Sequence, residues 1–325
     1  MIWDGAVSSL ENSANSPSLL AEGLRSVCRQ MCTVRTMTNV NVPSGSAEVV
    51  MRNIELNAAV LAEIEKVVEV STYLWQREWA ERNGGNISVD LTDIFGAAPV
   101  NLDDFPHCPL SMVGGSSAFP TDSAGHVFFV KGTGERIREL RDPELAGCVL
   151  RIDDQARGYH ILWGGRGQPD YKPTSEFISH VEIIMDKQRA NLADRCVVHT
   201  HPIELIALSH HPRYAHDSAS YTQACWQMLP EVRAFVPRGI GIVPYCMPGS
   251  QQMADGTTAQ LRQHDVAIWE KHGAVATGVD ALQAFDFIDV ANKGAKLHLM
   301  CLASGFEPEG VSTQDMQELK ETFKL

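Results

Sequence analysis

Cys196-Val197-Val198-His199-Thr200-His201-Pro202 is the stretch on which the fold turns. Apolar residues run into alternating histidine and threonine, the pattern of a short buried strand, and Pro202 suits the first turn of a following helix. Upstream, Thr174 to Ala190 reads as a helix, with Thr174 or Ser175 at its cap and Phe177, Val181, Ile184 and Gln188 on one stripe. Downstream, Gly239 to Pro244 and His272 to Thr277 read as strands, and Leu282 to Leu302 as a long amphipathic helix. Helices and strands alternate on both sides of the stretch, which predicts an α/β fold.

Further out the alternation continues. Leu56, Val60, Ile64, Val67, Leu74 and Trp75 recur at helical spacing between Glu55 and Arg82, and Asn83-Gly84-Gly85-Asn86 then turns the chain. Ile87 to Leu91 alternates like a strand. Val127 to Lys131 and Cys148 to Asp153 read as strands bracketing Gly132-Thr133-Gly134 and a polar helix, and Gly158 to Trp163 as another strand. No internal repeat appears, so residues 51–325 are expected to form one α/β domain, a central β-sheet flanked by helices. Residues 1–50 mix Ser and Asn with short apolar pieces and sustain no period. They are expected to be a disordered or loosely packed extension, dispensable to the rest.

Composition narrows the function. The 325 residues are 44% apolar and 21% charged, as in an ordinary globular protein. No apolar run of about 18 residues occurs, and the first residues lack a basic start with an apolar stretch, so a membrane span or secretory signal is not expected. A net charge of −13 opposes nucleic-acid binding, and any anionic substrate must be captured by local features. Eight scattered cysteines, with Cys28 and Cys32 the nearest pair, read as thiols in a reducing cytoplasm.

The chemistry starts from the same stretch. Residues i and i+2 of a strand share a face, so His199 and His201 point together and can clamp a metal. His272 precedes Gly273 at the mouth of another strand. As a third nitrogen ligand it completes a His₃ set with an open position, the pattern of catalytic zinc. The other histidines lack this setting. His210, His211 and His216 read as solvated, and His107, His126, His160, His180, His264 and His298 as structural. Glu176, at a helix start where the macrodipole favours its ionised form, is the candidate acid/base. Asn83 to Asn86, Gly132-Thr133-Gly134 and Thr174-Ser175 offer amides or hydroxyls to a phosphate. Each alone is only a turn; together with the metal set they suggest a site.

In this order the motifs resemble the class II aldolase/adducin family. The matching segments are Glu81 to Asn86, Gly158 to Gly164, Pro173 to Glu176, His199-Thr200-His201, Gly239 to Pro244, Pro248-Gly249 and His272-Gly273. The likeness spans roughly Leu56 to Ser304. Gly158-Tyr159-His160-Ile161-Leu162-Trp163-Gly164 and the Asn-Gly-Gly-Asn turn point more narrowly to the branch acting on L-rhamnulose 1-phosphate. The resemblance implies reversible cleavage to dihydroxyacetone phosphate and L-lactaldehyde. It implies one zinc per subunit on His199, His201 and His272, and Glu176 as acid/base. Asn83, Gly85, Asn86, Thr133, Gly134, Thr174 and Ser175 would surround the phosphate, Thr133 replacing a serine. It also implies a cytoplasmic homotetramer with the site at a subunit interface, where Glu231 enters from a neighbour; Met228-Leu229-Pro230-Glu231 departs from the family pattern. Fuculose-phosphate aldolases and ribulose-phosphate 4-epimerases share the metal set, and an adducin-like binding module shares the fold.

Overall fold

The computed structural model describes residues 53–96, 100–110 and 118–324. The extension expected over residues 1–50 therefore lies outside the described residues.

Helix α1 (Ala58–Gln76) begins where Asn57 accepts the Val60 N–H at 3.0 Å. It buries Val60, Ile64, Val67, Val70 and Leu74, one stripe of the 3.6-residue period. The helical pattern read to Arg82 ends earlier, at Gln76: Glu78, Arg82 and Gly85 have positive φ and lead into the Asn83 turn. Strands β1 (Asn86–Asp90), β2 (His107–Pro109), β3 (Val127–Lys131), β4 (Gly147–Ile152) and β5 (Gly158–Gly164) follow. The polar helix expected between β3 and β4 is a 3₁₀ turn, Ile137–Arg141, and one helical turn, Pro143–Ala146.

Helix α2 (Phe177–Arg189) leads to β6 (Cys196–Thr200) and α3 (Ile203–Ser209). Then come α4 (Ser218–Trp226), α5 (Pro230–Phe235), β7 (Ile240–Val243), α6 (Gln251–Leu261), β8 (Val266–Trp269), β9 (Gly273–Gly278), α7 (Ala281–Ala303) and α8 (Thr313–Phe323). The described strands form one mixed sheet in the order β2-β5-β4-β3-β1-β6-β9-β8-β7. Its pairs are antiparallel except β7 with β8, which α6 joins as a crossover. Sequence reading missed β2 and β8.

Side-chain alternation builds a core on each face. Val127, Phe129, Cys196, Val198, Val266 and Ile268 pack with α1, α3 and α7 on one side. Phe128, Val130, Val197, Ala267, Trp269 and Val275 pack with α2 and α6 on the other. His199 continues the Val197 register, so its ring belongs to the α2 side.

Candidate active site

The three histidines come from two neighbouring strand ends. β6 stops at Thr200, one residue short of the sequence reading, because the His201 N–H leaves the sheet for Trp79 O at 2.9 Å. The two rings still converge, with centroids 5.1 Å apart. His272 closes the triangle at 5.1 Å from His199 and 5.2 Å from His201. One ring nitrogen from each lies within 4.8 Å of the others. Glycine makes this approach feasible: a Cβ on Gly273 would fall 2.8 Å from His199 Cε1, and one on Gly84 would fall 3.0 Å from His201 Cε1.

Two of the rings are oriented from behind by hydrogen bonds. His199 Nδ1 meets Ala274 O at 3.0 Å, and its ring lies tilted against buried Trp269, centroids 4.2 Å apart. His201 Nδ1 lies 2.7 Å from Glu81 Oε1. His272 leaves Nδ1 buried without a hydrogen-bond partner. Burial holds the His199 ring far below the usual histidine range, with His201 and His272 adding to the effect. Burial likewise lowers His272 to about 4. Three rings that bring a nitrogen each to one point, one of them carrying an orphaned buried nitrogen, fit a divalent cation.

Glu176 faces the same point. It is buried, its Oε2 lies 3.9 Å from His199 Nε2, and Asn86 Nδ2 donates to that oxygen at 2.6 Å. The register pairing Asn86 with His199 across β1 and β6 creates this contact. Two expectations for Glu176 are corrected. It is itself the cap position of α2, with Thr174 Oγ1 behind its N–H at 3.5 Å, rather than a first-turn residue capped by Thr174 or Ser175. Its carboxyl is raised, not lowered, because desolvation outweighs the Asn86 hydrogen bond and the pull of His201 and Lys131.

The three turns gather around this point. Thr133 N–H reaches Lys172 O at 2.9 Å and Thr174 N–H reaches Lys131 O at 2.9 Å, so Thr133-Gly134 and Thr174-Ser175 lie side by side. With Asn83, Gly84, Gly85, Asn86, Glu176 and the three histidines they line a recess of about 200 Å³. Asn83, Thr133, Gly134 and Ser175 are exposed at its mouth. Of the residues picked from sequence, Glu231 alone lies elsewhere, exposed in the first turn of α5 and not among the lining residues.

Sequence reasoning missed Lys131, which also lines the recess. Its ammonium is buried and donates to Glu135 O at 2.6 Å, Gly132 O at 3.2 Å and Asn83 O at 3.4 Å, linking two of the turns. Burial lowers it to about 8, against the pull of Glu135 and Glu176. The available signal was a charge closing an otherwise apolar strand just before Gly132-Thr133-Gly134. Glu81, behind His201, was quoted in a motif but given no role. His216, read as solvated, sits with Nδ1 3.3 Å from the buried Glu270 carboxylate.

Residues 65–299 match the family model of the class II aldolase and adducin N-terminal domain. The chain is 41% identical over 277 residues to a rhamnulose-1-phosphate aldolase of Bacteroides thetaiotaomicron, covering 85% of this chain and 99% of that protein. It is 31% identical to a rhamnulose-1-phosphate aldolase of Pectobacterium carotovorum, over 80% of this chain and 93% of the relative. Among solved structures, a sugar-phosphate aldolase from Thermotoga maritima aligns with TM-score 0.64 and 28% identity, covering 78% of this chain and all of that one. No described helix is long and apolar enough to cross a membrane.

Proposed function

The chain belongs to the class II aldolase and adducin family and is a carbon–carbon lyase, and we propose that it is a zinc-dependent aldolase cleaving L-rhamnulose 1-phosphate to dihydroxyacetone phosphate and L-lactaldehyde. The carrying observation is that a three-histidine cluster and a buried, raised carboxyl open on one recess with three turns that offer amides and hydroxyls. The substrate assignment is supported by the 41% identity to a rhamnulose-1-phosphate aldolase along nearly its whole length.

His199, His201 and His272 would hold the ion, which supplies Lewis acidity toward the carbonyl and neighbouring hydroxyl of the substrate. Hydroxyls and amides of Asn83, Thr133, Gly134 and Ser175, exposed at the mouth, with Gly85 and Thr174 behind them, receive the phosphate. Lys131 beneath them supplies positive charge in a chain of net charge −13. Glu176 removes the proton from the carbon beside the ketone of dihydroxyacetone phosphate in the synthetic direction and returns it in cleavage. A raised carboxyl suits both halves of that exchange, and the Asn86 hydrogen bond fixes the oxygen that performs it. Glu231, remote within its own chain, acts from a neighbouring subunit of a cyclic homotetramer, so that the cytoplasmic enzyme completes its site only on assembly.

Incubating the purified chain with L-rhamnulose 1-phosphate and with L-fuculose 1-phosphate, and reading dihydroxyacetone phosphate with a coupled reductase alongside zinc analysis, tests this reading. Faster turnover of the fuculose ester would assign the chain to the sister enzyme. Bound zinc with no cleavage of either ester would leave a binding module.

A further inference from the structure

His272 sits on a turn with an unfavoured backbone. β8 and β9 pair as far as Trp269 opposite Gly273, so Glu270-Lys271-His272 must reverse the chain. Lys271, at the centre, has φ +62°, the left-handed region that a residue with a Cβ keeps only when its surroundings hold it there. The surroundings do so from two sides. Ser209, fully buried at the end of α3, accepts the Lys271 N–H on Oγ at 2.9 Å and donates to Ile206 O at 2.7 Å. Glu270, also buried, accepts from Lys271 Nζ at 3.0 Å and from the Tyr245 N–H at 3.2 Å. The turn runs directly into a close approach to β6, where a Cβ added at Gly273 would meet Thr200 O at 2.6 Å.

Ser209 neither lines the recess nor touches another charged group, yet it joins two ligand-bearing segments. α3 follows His201 after a single proline, so Ser209 ties the helix behind the second histidine to the turn that presents the third. Building on the three-histidine set as a divalent-ion site, we infer that Ser209 is a positioning residue that holds Lys271 left-handed and thereby fixes His272 against His199 and His201. A turn that only had to connect two strands is served by glycine without help; a lysine there needs an anchor, and a ligand ring needs its place held closely.

The test titrates zinc into the metal-free full chain against a chromophoric chelator, below the melting temperature of every variant. Ser209→Ala is expected to weaken zinc binding roughly 10-fold to 100-fold, the usual scale for an outer contact to a metal ligand. Adding Lys271→Gly should recover most of that loss, because glycine adopts positive φ unaided. Activity of Ser209→Ala should return in excess zinc with KM unchanged. A purely structural Ser209 would lower melting temperature while zinc affinity stayed at the wild-type value. Wild-type zinc affinity in folded Ser209→Ala, or a loss that glycine does not repair, would overturn the proposal. Zinc binding by the parent chain that His201→Ala leaves unchanged would instead overturn the metal site itself, and the proposal with it.

Discussion

The two ends of β1 hold the same pair of chemical groups and treat them oppositely. At one end Asn86 donates to Glu176, 3.9 Å from the His199 ring; at the other Asp90 meets His126 at 2.8 Å. Helix α2 spans both, with Glu176 at its start and Gln188 near its end donating to Asp90 at 2.9 Å. Asp90 collects donors from His126, Gln188, the Thr92 N–H and the Thr92 hydroxyl, which overcome its burial and lower its carboxyl. Asp90 in turn raises His126. Glu176 has the single Asn86 donor, and burial prevails. Both carboxylates are buried beside a histidine, so burial and proximity do not mark function. What separates them is satisfaction: the Asp90 pair has its lone pairs filled, while the end proposed to be reactive keeps them in reserve.

The most severe way to test this contrast is to remove one ring from each end. His201→Ala is expected to abolish bound zinc and cleavage together, since two imidazoles make a poor site. His126→Ala should keep both. Equal metal content in the two variants by elemental analysis would erase the distinction. Next in size, Glu176→Gln should keep zinc and fold but slow exchange of the dihydroxyacetone phosphate hydrogens in deuterated water by roughly 10²-fold or more. Near-normal exchange would move the acid/base role to another group.

The end proposed to be reactive was the more legible in the sequence, for a physical reason. Metal ligation needs particular residue types at particular spacings, so His199, His201, His272 and Glu176 stand out in a single chain. Asn86 could be proposed from its turn, but not its bond to Glu176, because that depends on how β1 registers with β6. Lys131 was hidden as the last residue of a strand. The Asp90 cluster was illegible: its partners lie 2, 36 and 98 residues away, and only the folded sheet brings them together. β3 and β6 were readable as apolar runs and α2 from its stripe, whereas β8 and α5 were not read.

Glu231 offers a third kind of carboxylate, exposed in its own chain, and sharpens the comparison if a neighbour brings it to the reactive end. Glu231→Ala is expected to lower cleavage roughly 10-fold while zinc content stays intact. Hybrid oligomers mixing Glu231→Ala with His201→Ala chains should regain activity, and hybrids that stay inactive would confine its action to one chain. Smaller again is the cost of disturbing the satisfied end. Asp90→Asn turns one acceptor into a donor facing donors, so stability should fall by about 1–3 kcal/mol with activity per folded molecule unchanged. Denaturant unfolding and zinc content, measured together, check both halves.

The smallest effect is the pH dependence of the Asp90–His126 pair. His126 is raised by Asp90, so its contribution is complete below the unfolded histidine value of about 6.5 and is lost as pH rises through its folded value. Asp90 is lowered, so its contribution is present above the unfolded value of about 3.9 and is lost as pH falls through its folded value. The pair therefore stabilises most between those two limits. Lys131, lowered to about 8, titrates too, which makes the total stability of the wild type a poor readout. The difference between wild type and His126→Gln cancels this, because a neutral glutamine can still donate to Asp90 but does not titrate. That difference should be largest at about pH 5.5 and shrink toward about pH 8.5 by up to roughly 1 kcal/mol, the scale of a partly solvated ion pair. A difference that is flat across this range would mean that His126 serves Asp90 only as a neutral donor. The contrast between the two ends would then rest on hydrogen-bond count alone, with charge playing no part.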